Sequence, residues 1–236
     1  MPDRWCAVAE LRKSQIESGL DITFSHVMEP YFLSLAEKLN PAYILEVGAG
    51  TGHLAKSLCK YGDIDALEPS SEMYSVARSI LQNKSIALYH TDLQSFKSDK
   101  RYELIISNMC IQTIESFEGL LGHVHNRLSE AGTFTFTIPH PCFYNDYKGF
   151  FTEEDFVYMD NKFKEVSFHI SLDPDNEISS VPYYHRPLSY YIGAINDCGF
   201  IVSKFDEIFP NDDVHKKYNL QWSRPRYCAF QIKRRP

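Results

Sequence analysis

The chain has 236 residues, of which 44% are hydrophobic and 14% aromatic, and this supply of apolar side chains excludes a disordered protein. Lysine and arginine total 24 against 31 aspartates and glutamates, a formal charge of -7 that argues against a broad nucleic-acid-binding surface. A length of this order suits a single α/β domain that spans residues 1–236.

The first predicted elements are two helices in residues 4–39, separated near Gly19–Thr23. From Ala42 onward, short apolar runs alternate with helical patterns. The predicted strands are Tyr43–Val47, Ile64–Leu67, Ile86–Tyr89, Tyr102–Ser107 and Gly132–Ile138, and the predicted helices are Gly52–Lys60, Ser71–Leu81 and Phe117–Leu128. This alternation predicts a parallel sheet that is covered by helices on both faces.

The pattern changes after Pro139. Residues 140–187 are aromatic, polar and marked by prolines, and one strand pair is predicted around Lys164–Ser171. A helix follows at Leu188–Cys198, and the last two strands are predicted at Phe200–Glu207 and Arg226–Lys233. The sequence therefore predicts one domain with a helical lid in about residues 1–40 and an inserted segment in about residues 140–187.

Three glycines lie in a turn between the first predicted strand and its helix, within the run Ile44–Leu54. Glycine allows a positive φ and lets a ligand approach the backbone without a Cβ in the way. The N–H groups at the start of a helix also favour an anionic group. Such a loop could bind a pyrophosphate or the carboxylate of an amino acid.

The spacing of these glycines distinguishes the two ligands. Gly48, Gly50 and Gly52 form GxGxG, whereas a dinucleotide fold requires GxGxxG, so a dehydrogenase is disfavoured. Glu46 stands two positions before the first glycine. This combination closely resembles motif I of class I S-adenosylmethionine-dependent methyltransferases. The resemblance implies a Rossmann-like fold with a mostly parallel seven-stranded sheet whose last strand is antiparallel.

Two acidic residues further along fit a nucleoside. Glu68 ends the second predicted strand about 20 residues after Gly48, where a carboxylate can accept both ribose hydroxyls. Asp65, in the same strand, is the rival carboxylate. Asp92 follows the third strand, and the resemblance implies that it meets the adenine amino group, although an exposed loop aspartate is the alternative.

The fourth predicted strand leads into Ser107–Gln112, which resembles motif IV of the same family, beside the sulfonium and the incoming acceptor. It departs from the Asn-Pro-Pro-aromatic version that holds a planar amide or an adenine amine. This departure disfavours nucleic-acid adenine and protein glutamine as substrates. The matches together cover about residues 42–138. The resemblance implies that the cofactor contacts Glu46, Gly48, Ala49, Gly50, Gly52, His53, Leu54, Glu68, Pro69, Met73, Thr91, Asp92, Leu93, Asn108 and Met109.

The inserted segment is predicted to line the acceptor pocket. His140 is the first candidate for a general base and His185 the second, because histidine titrates near neutrality. A structural role is an equally good interpretation of each. Arg186 would pair with an acidic substrate or anchor its loop. The predicted substrate-binding residues are His140, Phe143, Tyr144, Tyr184, His185 and Arg186, and Trp5, Phe24 and His26 of the lid are predicted to close over the cofactor.

These observations predict an enzyme that moves a methyl group from S-adenosylmethionine to nitrogen or oxygen of a small, aromatic or heterocyclic molecule, leaving S-adenosylhomocysteine. An RNA or protein methyltransferase and a non-catalytic binding subunit are the alternatives.

The six cysteines are scattered without a zinc or disulfide pattern, so we expect free thiols and no metal. Without a signal-peptide pattern or an apolar run of roughly 20 residues, a cytoplasmic monomer or homodimer without nucleic-acid or membrane partners is expected.

Overall fold

A computed structural model describes residues 8–83 and 85–236. The strands are β1 Tyr43–Val47, β2 Asp63–Leu67, β3 Ile86–Tyr89, β4 Tyr102–Asn108, β5 Leu128–Pro139, β6 Lys162–Ile170, β7 Asp173–His185, β8 Phe200–Ile208 and β9 Tyr227–Arg234. The α-helices are α1 Ala9–Glu17, α2 Glu29–Leu39, α3 His53–Leu58, α4 Ser71–Ile80, α5 Phe117–His125, α6 Tyr144–Lys148, α7 Leu188–Asp197 and α8 Asp212–Tyr218. Trp5 and Cys6 lie outside the described residues.

Seven of these strands form one sheet in the order β3-β2-β1-β4-β5-β9-β8. The pairs from β3 to β5 are parallel, whereas β9 runs antiparallel to both β5 and β8. The predicted fold class, with its antiparallel last strand, is therefore confirmed. Ile44 and Leu45 face opposite sides of the sheet and both are fully buried, because helices cover both faces.

Two predicted boundaries were wrong. The helix predicted to reach Leu128 ends at His125, and Leu128 begins β5, where it pairs with Tyr102 of β4. Its carbonyl accepts a hydrogen bond from the Arg234 guanidinium, so the end of β9 fixes the start of β5. The predicted strand pair was also too short, since β6 and β7 form a hairpin that spans residues 162–185.

The two predicted N-terminal helices and the break between them are present in the described residues. Gly19 takes a φ of 76°, and Asp21 then pairs with the Arg12 guanidinium and accepts the N–H of Phe24 at 2.9 Å. A π-helical turn at Phe24–Met28 leads into α2. Met28 packs in one cluster with Met73 of α4 and Trp222, which sets this region against the carboxyl ends of the parallel strands.

Among residues 8–83 and 85–236, no helix is long and apolar enough to cross a membrane. The cysteines at 59, 110, 142, 198 and 228 are free thiols. The division into lid, sheet and inserted segment stays a prediction.

Candidate active site

The glycine loop leaves β1 with a left-handed backbone at each glycine, where φ is 76° at Gly48, 55° at Gly50 and 82° at Gly52. A Cβ added at Gly48 would lie 2.5 Å from Sγ of Cys110, which is far inside contact distance. A Cβ added at Gly50 would meet no described atom within 4 Å. Packing therefore requires glycine at position 48, whereas the space beside Gly50 is open to a ligand.

Glu68 holds this loop to the end of β2. Its Oε2 accepts the backbone N–H of Gly50 at 2.7 Å, and its Oε1 accepts the N–H of Ser70 at 2.8 Å. The rival carboxylate, Asp65, is committed elsewhere, because it accepts hydrogen bonds from the Lys100 ammonium at 2.9 Å and the Tyr102 hydroxyl at 2.6 Å. The geometry thus brings Glu68, and not Asp65, to the glycine loop.

Glu46 lies buried beneath the same loop. Burial, and after it the negative charge of Glu68, raises the pKa of its carboxyl to about 8. Its Oε2 has no hydrogen-bond partner among the residues that the structure describes. The Glu46 carboxyl is therefore mostly protonated and neutral at pH 7.

The Glu46→Gln variant is expected to change how stability depends on pH. The folded protein keeps the Glu46 proton up to about pH 8, whereas the unfolded chain releases it at about pH 4.3. Between these values the folded state binds more protons, so Glu46 lowers the free energy of unfolding as pH rises. Glutamine mimics the neutral form and removes this loss.

Urea unfolding of both proteins at pH 5, 6, 7 and 8 measures the effect. The variant should gain stability relative to the parent at each step upward in pH. A constant difference across this range would contradict a raised pKa at Glu46.

The predicted adenine contact lies in a turn after β3. Asp92 is exposed, and its Oδ1 accepts the N–H of Ser95 at 2.7 Å. Leu93 beside it is buried in the core, as are Ala49 and Leu54. These three apolar side chains support the loops from below, so only their backbones can face a cofactor.

Asn108 links the ends of β4 and β5. Its Oδ1 accepts the hydroxyl of Thr137 at 2.8 Å, and that hydroxyl oxygen accepts the N–H of Met109 at 3.1 Å. The amide nitrogen of Asn108 has no such partner within the described part of the chain. Met109 has a φ of 52°, which costs a side-chain-bearing residue about 1–2 kcal/mol and is typical of functional sites.

His53 connects the loop to the N-terminal helices. Its Nδ1 lies 2.8 Å from the Thr51 hydroxyl and its Nε2 3.7 Å from a carboxylate oxygen of Glu17 in α1. The ring of Phe24 packs edge-on against His53 at 6.2 Å, whereas His26 is exposed. Phe24 thus lies beside the loop, and the covering role of Phe24 and His26 stays a prediction.

His140 is buried at the end of β5 with both ring nitrogens engaged. Its Nδ1 accepts the N–H of Cys142 at 3.2 Å, so Nε2 carries the proton and donates it to Glu207 at 3.1 Å. Burial lowers the pKa of the ring. The bond to Glu207 links the end of β5 to β8. As a general base, His140 would have to release the N–H of Cys142 from Nδ1 and accept a proton from the methyl acceptor there. This catalytic role stays a prediction.

His185 and Arg186 lie at the base of the hairpin. His185 donates from Nε2 to the carbonyl of Tyr158 at 2.9 Å, and burial lowers its pKa. Arg186 is buried and donates to the carbonyls of Ile114 at 2.7 Å and Glu115 at 2.6 Å. Arg186 therefore anchors the segment that follows motif IV, which is one of its two predicted roles.

The predicted aromatic residues divide into two groups. Phe143 stacks on His140 at 4.6 Å, and Tyr144 is buried next to it. Tyr184 instead packs on Phe163 of the hairpin at 4.8 Å. The structure brings the first group to the end of β5 and leaves Tyr184 on the hairpin.

Sequence reasoning missed Arg226 as a site residue. Its guanidinium carbon lies 3.6 Å from the ring centre of Tyr147 and 4.3 Å from that of Trp222. The available signal was Trp222 followed closely by two arginines on either side of Pro225.

Comparisons with known proteins agree with the family resemblance in the sequence. A family model described as a methyltransferase domain matches residues 24–181. A malonyl-[acyl-carrier protein] O-methyltransferase of Priestia megaterium is 32% identical over 97 residues, which cover 40% of this chain and only 35% of that protein.

Two solved structures show the same fold. An S-adenosylmethionine-dependent methyltransferase from Mesorhizobium loti has a TM-score of 0.66 at 20% identity, covering 81% of this chain and 90% of that one. The 1,6-didemethyltoxoflavin-N1-methyltransferase of Burkholderia thailandensis, solved with 1,6-didemethyltoxoflavin and S-adenosylhomocysteine, has a TM-score of 0.61 at 14% identity and covers 100% of this chain and 91% of that one.

Proposed function

Because the chain belongs to the class I S-adenosylmethionine-dependent methyltransferase family, we propose that it methylates a nitrogen or oxygen of a small, aromatic or heterocyclic molecule. The observation that carries this proposal is the geometry of the glycine loop. Glu68 accepts the N–H of Gly50, and the space beside Gly50 is open.

The residues present fit adenosylmethionine. The open space at Gly50 admits the methionine part against the backbone, and the unpartnered oxygen of Glu46 lies under the same loop. Glu68 and Asp92 would receive the ribose hydroxyls and the adenine amino group, and the free amide of Asn108 would face the reacting centre. Bound adenosylmethionine supplies a methyl group on a positively charged sulfur, a good leaving group.

The protein's own contribution is positioning. Asn108, Thr137 and Met109 are linked by hydrogen bonds at the ends of β4 and β5, so this edge is held rigidly where the acceptor would approach. Alignment of two reactants in this way is worth roughly 7–11 kcal/mol. A general base is needed only when the acceptor atom cannot release its proton to water.

Two features support a small acceptor. The motif IV segment lacks the Asn-Pro-Pro-aromatic pattern, and the chain carries a net charge of -7, which disfavours RNA. The relatives above include an O-methyltransferase and an N-methyltransferase by name, so both atoms stay within the proposal.

Adenosylhomocysteine is expected to raise the melting temperature, because a ligand that binds only the folded state stabilises it. At 100 times its dissociation constant the gain is about 2.7 kcal/mol, which corresponds to about 5–10 °C for a chain of this size. NAD serves as the control and should give no shift.

Absence of binding by calorimetry at millimolar adenosylhomocysteine would refute the proposal. Binding without release of adenosylhomocysteine from adenosylmethionine, in the presence of any cell extract, would instead indicate a non-catalytic subunit. Label transferred from the cofactor into RNA or protein, rather than into small molecules, would overturn the proposed acceptor class.

A further inference from the structure

A cavity of about 370 Å³ lies between α6 and the residues that lead into β9. Its lining includes Phe143, Tyr147, Trp222, Arg224 and Arg226. Two positive charges, three aromatic rings and the carboxylate of Asp146 thus line one space.

Arg226 is the unusual member of this set. It is only 8% exposed, yet its guanidinium makes no hydrogen bond or ion pair with any residue in 8–83 or 85–236. Arg224 differs, because it donates to the Asp146 carboxylate at 2.5 Å and is well exposed. The cavity therefore has a neutralised charge at its rim and an unpaired one deeper inside.

The rings around Arg226 do not replace an anion. Tyr147 and Trp222 attract the cation through their faces, at 3.6 Å and 4.3 Å from the guanidinium carbon. The N–H donors lie in the plane of the guanidinium and form a fork that matches a carboxylate. A buried charge with unused donors is costly unless a partner supplies acceptors.

The cavity also lies at the edge of the sheet where methyl transfer is proposed. The carbonyl of Arg226 accepts the N–H of His140 at 2.8 Å, and β9 is two strands from β4 in the sheet. Neighbouring strands are roughly 5 Å apart, and β5 lies between β4 and β9. The start of β9 is therefore about 10 Å from Asn108 at the end of β4. A flat molecule with two rings spans a distance of that order.

We propose that this cavity binds the carboxylate of the methyl acceptor, with Arg226 as the anion-binding residue and the surrounding rings contacting the acceptor's flat face. This inference rests on the proposed function and narrows its substrate class to aromatic carboxylates. Arg226 is therefore assigned to acceptor binding and specificity, and the described part of the chain shows no contact between it and the glycine loop.

The test compares 6-hydroxy-2-naphthoate, which has two fused rings, with its neutral counterpart 6-hydroxy-2-naphthamide by ligand-observed NMR, in the presence of adenosylhomocysteine. The acid should bind at least about ten-fold more tightly than the amide, as expected for charge-assisted hydrogen bonds. Arg226→Met keeps the packing of the stem between the rings and should abolish this preference. Arg226→Lys should retain part of it, and the matched rim variant Arg224→Met should retain most of it.

If the parent protein binds the acid and the amide equally tightly, the inference is overturned, whatever the variants show. An unchanged preference in Arg226→Met, with the fold verified by circular dichroism, would overturn it as well. Adenosylhomocysteine binding is recorded in the same samples, so a failed carboxylate site is distinguished from a failed methyltransferase.

Discussion

The Gly48→Ala variant is expected to lose adenosylmethionine binding and to become less stable by about 2–5 kcal/mol. Gly48 has a φ of 76°, which costs an alanine about 1–2 kcal/mol. Its new Cβ would also lie 2.5 Å from Sγ of Cys110, so the loop and β4 must separate. Urea unfolding measures the stability, and calorimetry measures the affinity.

Gly50→Ala is the matched control for this result. It carries the strain of a positive φ but meets no described atom within 4 Å, so about 1–2 kcal/mol is expected. Its methyl group would occupy the space proposed for the cofactor, and binding should still be lost. If Gly50→Ala binds adenosylmethionine normally, the cofactor does not lie against this loop.

Glu68→Ala is expected to weaken adenosylmethionine binding by at least about 100-fold, because two charged hydrogen bonds to ribose are each worth about 1.5–3 kcal/mol. The substitution also removes the acceptors for the N–H groups of Gly50 and Ser70, so the loop loses its clamp. Glu68→Gln keeps one acceptor oxygen and should show a smaller loss. Calorimetry with adenosylhomocysteine measures both variants.

Asp65→Asn provides the comparison from the same strand. This carboxylate is equally buried and is bonded to Lys100 and Tyr102, so its substitution should cost about 1–3 kcal/mol of stability. Affinity for adenosylhomocysteine should be unchanged. A large loss of affinity in Asp65→Asn, with none in Glu68→Ala, would exchange the roles of the two carboxylates.

The sheet and the cofactor half could be predicted because their information is local in the sequence. Each parallel strand is a short apolar run, and the loop at Gly48 needs glycine for backbone reasons that any homologous loop shares. The end of helix α5 was misplaced, because Leu128 is held in a strand by partners from β4 and β9 that are far away in the sequence.

The acceptor half could not be predicted to the same depth. Strand β7 is largely polar and contains Pro182, so its pairing with β6 is not visible in a period-two pattern. Arg226 and Tyr147 lie far apart in the sequence and meet only when α6 packs beside β9. The hydrogen bond from His140 to Glu207 likewise joins two strands that are far apart in the sequence, and the catalytic role of His140 stays a prediction.

The hairpin of β6 and β7 forms a two-stranded sheet of its own and shares no strand with the seven-stranded sheet. It lies in the chain between α6 and α7, and its two ends are paired, with Lys162 opposite His185. Replacement of this unit would leave every strand register of the large sheet intact. Tyr183 of β7 packs near Tyr144 of α6, with 6.5 Å between the ring centres. Exchange of this one module would therefore alter the surroundings of the proposed acceptor site, while the nucleoside-binding half remained under separate selection.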